Sequence, residues 1–206
     1  MAISYPLSLP TTVGIRAISL RQVNAVALSQ SPFTYKQQAI SHVGQRWEAD
    51  ISLVPMKATL AREWIAWLSS LKGYRGTFTM GDYSGATAQG EAGGTPIVAG
   101  ASQTGSTLDI DGATTTQTGW LKAGDYIQLG TGATATLHMN LTDADTVAGA
   151  TTLDLWPDIR TAPADNAAVT VANTVGLWRL NANQVSWDVN SASIYGLNFT
   201  AVEAIV

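Results

Sequence analysis

Trp47-Glu48-Ala49-Asp50-Ile51-Ser52-Leu53 decides the fold. Every second residue is apolar and every residue between is polar, the two-residue period of a strand with one face on a core and one in water. Around it the pattern repeats. Val13 to Arg21 reads as a strand with Val13, Ile15 and Ala17 on one face and Arg16 on the other. Ser31-Pro32 marks a break, after which Phe33-Thr34-Tyr35 opens another strand. Lys57 to Lys72 is the exception. Leu60, Trp64, Trp67, Leu68 and Leu71 recur at three- and four-residue spacing, the stripe of an amphipathic helix. Thr59 is its expected N-cap, Lys72 complements the C-terminal dipole and Gly73 stops it. Gly76 to Met80 returns to a strand, and Gly81-Asp82 turns.

The next segment changes chemistry. Residues 1–82 carry eight basic and four acidic side chains, residues 83–173 two basic and nine acidic, a balance of +4 against -7 inside a net charge of -4. The acidic segment is rich in Gly, Ala and Thr. It reads as short strands at Ser106–Gly112, Tyr126–Leu129, Ala135–Leu141, Thr151–Trp156 (ended by Pro157) and Ala168–Ala172, with Gly-rich turns between them, the pattern of a small barrel or sandwich. Gly176–Leu180, Val185–Val189 and a long strand from Ile194 resume the first pattern, with Tyr195, Leu197 and Phe199 on one face. The expected architecture is mainly β with one α-helix. Residues 1–82 and 174–206 form a β-sandwich host domain, and residues 83–173 an inserted small β-barrel-like domain.

Composition narrows the chemistry. The 206 residues include no Cys and only two His, His42 and His138, so a cysteine or multi-histidine metal site within one chain is excluded. Net acidity speaks against nucleic-acid recognition. No apolar run is long enough for a membrane-spanning helix, and the N-terminus lacks the pattern of a secretory signal. Nucleophile elbows, Walker loops and zinc-protease motifs are missing. Gly81–Gly85 and Gly90–Gly94 read as linker rather than phosphate cradle. Asp109-Ile110-Asp111 and Asp143-Ala144-Asp145 offer paired oxygens for calcium without the full loop pattern, so ordinary turns are expected. No cofactor, no metal and no catalytic residue is assigned. Of the seven tryptophans, Trp47, Trp64, Trp67, Trp178 and Trp187 fall on core-facing patterns. Trp120 and Trp156, with Tyr126, lie beside turns of the insert. They are the candidate surface aromatics for stacking on a glycan or receptor, against the alternative that they fill a small core.

Four stretches carry a resemblance. Ile97 to Leu108 and Gly119 to Leu129 resemble a module of tail proteins of long-tailed bacteriophages, and Leu153 to Arg160 resembles its later strand and turn. Trp64 to Phe78 is similar to the helix and following strand of distal tail or minor tail proteins. The resemblance implies a tail-tube-like domain with one helix. It further implies assembly of further copies into a ring, hexameric in the family, at the virion tail tip beside the tail tube protein, the tape-measure protein and the hub or baseplate proteins. The protein would be made in the host bacterial cytoplasm and act as a structural hub, not an enzyme. An accessory glycan- or receptor-binding module is the alternative. The large C-terminal carbohydrate-binding-like domain of some members has no room here.

Overall fold

The computed structural model describes residues 3–11 and 14–206. In chain order these form β1 (Ile15–Gln30), β2 (Gln37–Leu53), β3 (Met56–Lys57), α1 (Ala58–Leu71), β4 (Thr77–Met80), β5 (Gly94–Val98), β6 (Gly105–Ala113), β7 (Thr116–Leu121), β8 (Tyr126–Leu129), β9 (Thr136–Asn140), β10 (Ala144–Val147), β11 (Thr151–Ile159), β12 (Val169–Thr170), β13 (Gly176–Leu180), β14 (Trp187–Val189) and β15 (Ile194–Glu203). The protein is mainly β with one α-helix among the described residues.

The large antiparallel sheet runs β1-β2-β15-β13-β4, with β3 and β14 joining β15 near its start. Register fixes its two faces. Ile51 pairs with Phe199, Ala49 with Ala201, Trp178 with Glu203 and Phe78 with Trp178, so these side chains share one face. Glu48, Asp50, Ser52, Asn198 and Thr200 lie on the other. The apolar face is covered twice. At one end α1 packs Trp64, Leu68 and Leu71 onto it, and Trp64, Trp67, Phe78 and Phe199 form a cluster with ring centroids 5.1–6.3 Å apart. At the other end Tyr126, Leu137 and Trp156 of the second sheet meet Trp47.

Three local expectations are corrected. A bulge between Ile15 and Ala17 sets Ile15 on the face of Ile18 and Leu20 and turns Ala17 away from Ile15; Val13 lies outside the described residues. The helix starts at Ala58 with Lys57 as N-cap, so Thr59 sits in the first turn. Ala61 rather than Leu60 opens its buried stripe, and Lys72 itself takes the left-handed conformation that ends it. Phe33-Thr34-Tyr35 is a turn, closed by the Tyr35 amide on Ser31 O and the Ser31 amide on Lys36 O, and the strand begins only at Gln37.

After Met80 the chain leaves the large sheet, and it returns at Gly176, which pairs with Met80. The crossing is tight, since a Cβ at Gly81 would stand 1.9 Å from Thr174 O. Between these points a six-stranded sheet runs β12-β8-β9-β11-β6-β5. A bridge from Ile97 to Ala168, with the Val98 amide on Ala167 O, carries β5 back beside β12 and nearly closes a barrel. β7 and β10 form a separate ribbon, and these two strands and β5 add to the five expected. β11 does not end at Pro157. It pairs with β6 through Asp154, then with β9 at Leu155 and Trp156, and continues to Ile159. Val98, Leu108, Trp120, Ile127, Leu153 and Leu155 fill the interior.

Candidate assembly surface

β1 and β2 are about three times the usual strand length of 5–6 residues. Only their proximal halves belong to the sheet, because β15 pairs with β2 over Glu48–Ser52 alone. Beyond, Ala25–Gln30 pairs with Gln37–His42 as a two-stranded ribbon. Among the described residues, no hydrogen bond of residues 25–42 reaches another element. Both outer edges and both faces are open. Val26, Leu28, Ile40 and Val43 are exposed along the arm, and at its tip Phe33 is 92% exposed and Tyr35 73%. From Gln22 to Gln45 the only formally charged side chain is Lys36.

Such an arm runs against the usual handling of sheet edges, which are blunted with charge, proline or bulges. An isolated hairpin is at best marginally stable in water, and a contiguous exposed apolar surface marks a place of contact. Its twenty residues, 24–43, match the ~20–30 residues that one side of a standard protein interface takes.

The arm's root is fastened to the barrel. A register shift between Val23 and Ala25 leaves Asn24 opposite Val43, Gly44 and Gln45. The Trp156 indole N–H donates to Asn24 Oδ1 at 2.7 Å, and the Asp158 amide donates to Gln45 Oε1 at 2.7 Å. The Arg160 guanidinium donates to Gln45 O and, at 2.8 Å, to Glu203 Oε1. Glu203 Oε2 accepts the Trp47 amide at 3.0 Å, while the Trp47 indole N–H donates to Leu137 O at 2.9 Å. Trp47 and Trp156 stack edge to face at 4.5 Å. A buried pair of this kind is costly to break, because the remaining charge is stranded. One strand of the barrel, β11, thus holds both strands of the arm.

The candidate surface aromatics do not lie on the surface. Trp120 is fully buried with its N–H on Gly93 O, Trp156 is 7% exposed at the arm root, and Tyr126 is 8% exposed. Burial, with the carboxylate of Asp82, pushes the Tyr126 phenol up to about 12. Trp120 packs in the barrel interior, and Tyr126 and Trp156 pack against Trp47 between the two sheets, so none offers a ring face to a sugar. The converse holds for Trp187, expected in the core and 44% exposed on β14. That strand is a short one paired with β15, and all three of its residues are exposed.

The acids of the insert are structural staples. Buried Asp125 accepts the amides of Gln89, Gly90 and Lys122 at 2.7, 3.1 and 2.8 Å, tying the incoming linker to the barrel. Asp143 accepts the Ala123 amide and the Lys122 ammonium, which hold its carboxyl below the usual range, whereas Asp145 turns to the Gly119 amide. Asp109 accepts from Thr152 Oγ1. Among the described residues no three His, Asp or Glu side chains converge to hold a metal ion. The glycine-rich linker spends its amides similarly, Glu91 on Gly119 O and Ala92 on Trp120 O, as β-pairing rather than a phosphate cradle. Arg46 pairs with Glu48 on the face opposite the Trp47 ring, so no cation-π contact forms.

His138 is buried with both ring nitrogens engaged. Nδ1 donates to Pro157 O at 2.7 Å, which leaves Nε2 to accept from Thr136 Oγ1 at 3.0 Å. Burial pushes this imidazole down, so it stays neutral. His42 sits exposed on the arm. No helix of the described residues is long and apolar enough to cross a membrane. Sequence reading missed the arm's apolar residues, although the run from Gln22 to Gln45 with Lys36 as its one charge was the available signal. The chain matches no protein-family model and no curated protein.

Proposed function

We propose that this protein is a structural subunit of the distal tail of a long-tailed bacteriophage, assembling through its arm into a hub ring that joins the tail tube to the tip or baseplate. The observation that carries the reading is the arm itself, a charge-poor ribbon with open edges and exposed apolar side chains. The mainly β fold with one helix is consistent with the phage-tail resemblance seen at Trp64–Phe78, Ile97–Leu108, Gly119–Leu129 and Leu153–Arg160. The role is structural rather than enzymatic. Its partners are further copies in a ring, hexameric by resemblance, then the tail tube, tape-measure and hub or baseplate proteins, in the virion tail tip. Light scattering and negative-stain microscopy test the reading. Annular particles are expected; a monomer at every concentration, with or without tail tube protein, contradicts it.

A further inference from the structure

His138 stands one residue behind the fastening of the arm. Its Nδ1–H holds the Pro157 carbonyl at 2.7 Å. The residues on either side of Pro157 both donate to the arm root, Trp156 to Asn24 and Asp158 to Gln45, each at 2.7 Å. Arg160 follows, donating to Gln45 O and to Glu203, and Glu203 accepts the Trp47 amide. These contacts issue from residues 156–160, and the imidazole fixes the middle of that stretch.

A neutral ring suits the place and a charged one does not. Nε2 accepts from Thr136 Oγ1 at 3.0 Å. For a protonated ring to donate there, that hydroxyl must turn to Leu129 O, 3.5 Å away, at the limit of a hydrogen bond. Of the charged groups around the ring, Arg160 opposes a second cation, while Glu203 on β15 and Asp158 on β11 favour one. Glu203 is already paired with Arg160 at 2.8 Å. β8, paired with β9 beside His138, brings only Tyr126, whose phenol turns to Asp82. Burial outweighs the favourable charges and holds the imidazole below its ordinary value. A proton still has a way in, because the ring lines a cavity of about 290 Å³ between the barrel and the end of β15.

We infer that His138 is an acid-sensitive latch for the arm: once protonated, it leaves the Pro157 carbonyl for the cavity and loosens residues 156–160 from the arm root. It is a positioning residue, acting on the arm through Pro157, and it gives the arm a fastened state at neutral pH and a looser one in acid. The inference concerns the single subunit and stands apart from self-assembly. Its sign follows from the burial. The freed ring takes up a proton at its ordinary value of 6.5 and the latched ring resists it, so loosening grows as pH falls below 6.5. Between pH 7.5 and 5.5 the gain is at most about tenfold.

Hydrogen exchange followed by NMR on the intact chain tests it. Corrected for the intrinsic rate, protection of the Trp47 and Asp158 amides is expected to fall several-fold, up to about tenfold, between those pH values. The buried Gly149 amide, bonded to Thr115 O between β10 and β11, should keep its protection. His138→Gln, neutral at both pH values and able to donate to Pro157 O, should lose the response. His42→Gln, which removes the exposed imidazole of the arm, should keep it. The ring nitrogens of the unsubstituted chain give a second reading, with Nε2 gaining its proton in step with the loss of protection. Equal loss at Gly149 would mean that the whole chain loosens. A response that survives in His138→Gln would assign it to Glu203 or Asp158. Either result, or a ring that gains its proton with the root amides unchanged, overturns the latch.

Discussion

Trp156→Ala separates a structural from a sugar-stacking tryptophan. Trp156 buries all but 7% of its surface, meets Trp47 edge to face at 4.5 Å and donates to Asn24 at the arm root. Truncating a buried Trp to Ala costs about 3–5 kcal/mol. The upper half of that range is expected, because the ring contact is worth about 0.5–1.5 kcal/mol beyond area burial. Collapse into the void is also resisted, since β11 is pinned by β9 on one side of the gap and by Arg160 on the other. With a loss of about 4 kcal/mol and a urea slope of about 2.5 kcal/mol per molar, the unfolding midpoint falls by about 1.6 M. Far-UV circular dichroism in urea reads it without depending on the lost fluorophore. Trp156→Phe keeps a ring against Trp47 and loses only the indole hydrogen bond to an exposed acceptor, for about 1 kcal/mol. A Trp156→Ala protein within 1 kcal/mol of the parent, with binding to cell-wall glycan abolished, would refute the packing argument.

Two further outcomes follow from the same contacts. Asp125→Ala strands the amides of Gln89, Gly90 and Lys122, so hydrogen exchange there should accelerate at least a hundredfold, about 3 kcal/mol for hydrogen bonds to a charged acceptor; unchanged exchange would contradict the staple. His138 is held below its ordinary value of 6.5, so its contribution to stability is complete above that pH and declines as pH falls, because the unfolded chain takes up the proton first. Urea midpoints at pH 7.5 and 5.5 should differ more for the parent than for His138→Gln, and equal differences would contradict the assignment.

How much of this the sequence carried depended on which surfaces face a core. β2 was readable from Trp47 to Leu53 because one face is buried there and the other wet, and α1 was readable because its stripe covers a sheet. Gly81 and Gly176 bracket an insert whose charge shift was visible in the chain, yet β5, β7 and β10 escaped notice because each is only four to six residues long and mixes its apolar residues with Gly, Thr or Asp. The arm was illegible as an arm. With both faces of residues 25–42 in solvent, no alternation is imposed, and Phe33 was taken for a strand start rather than a turn. Trp187 was placed on the wrong side, and Trp120 and Trp156 were left open between a surface and a small core, for a related reason. A tryptophan beside a turn is buried or exposed according to what a distant segment lays over it, here Gly93 for Trp120 and Asn24 for Trp156, and no local pattern records that.

The central claim is that the arm drives self-assembly, and particle mass tests it most directly. Light scattering on the parent and on a variant with residues 26–41 replaced by an Asn-Gly turn, at matched concentrations, compares the two states. The account predicts a closed oligomer for the parent and a folded monomer with an unchanged melting temperature for the shortened chain. Equal masses for the two, whether both oligomeric or both monomeric, would contradict it.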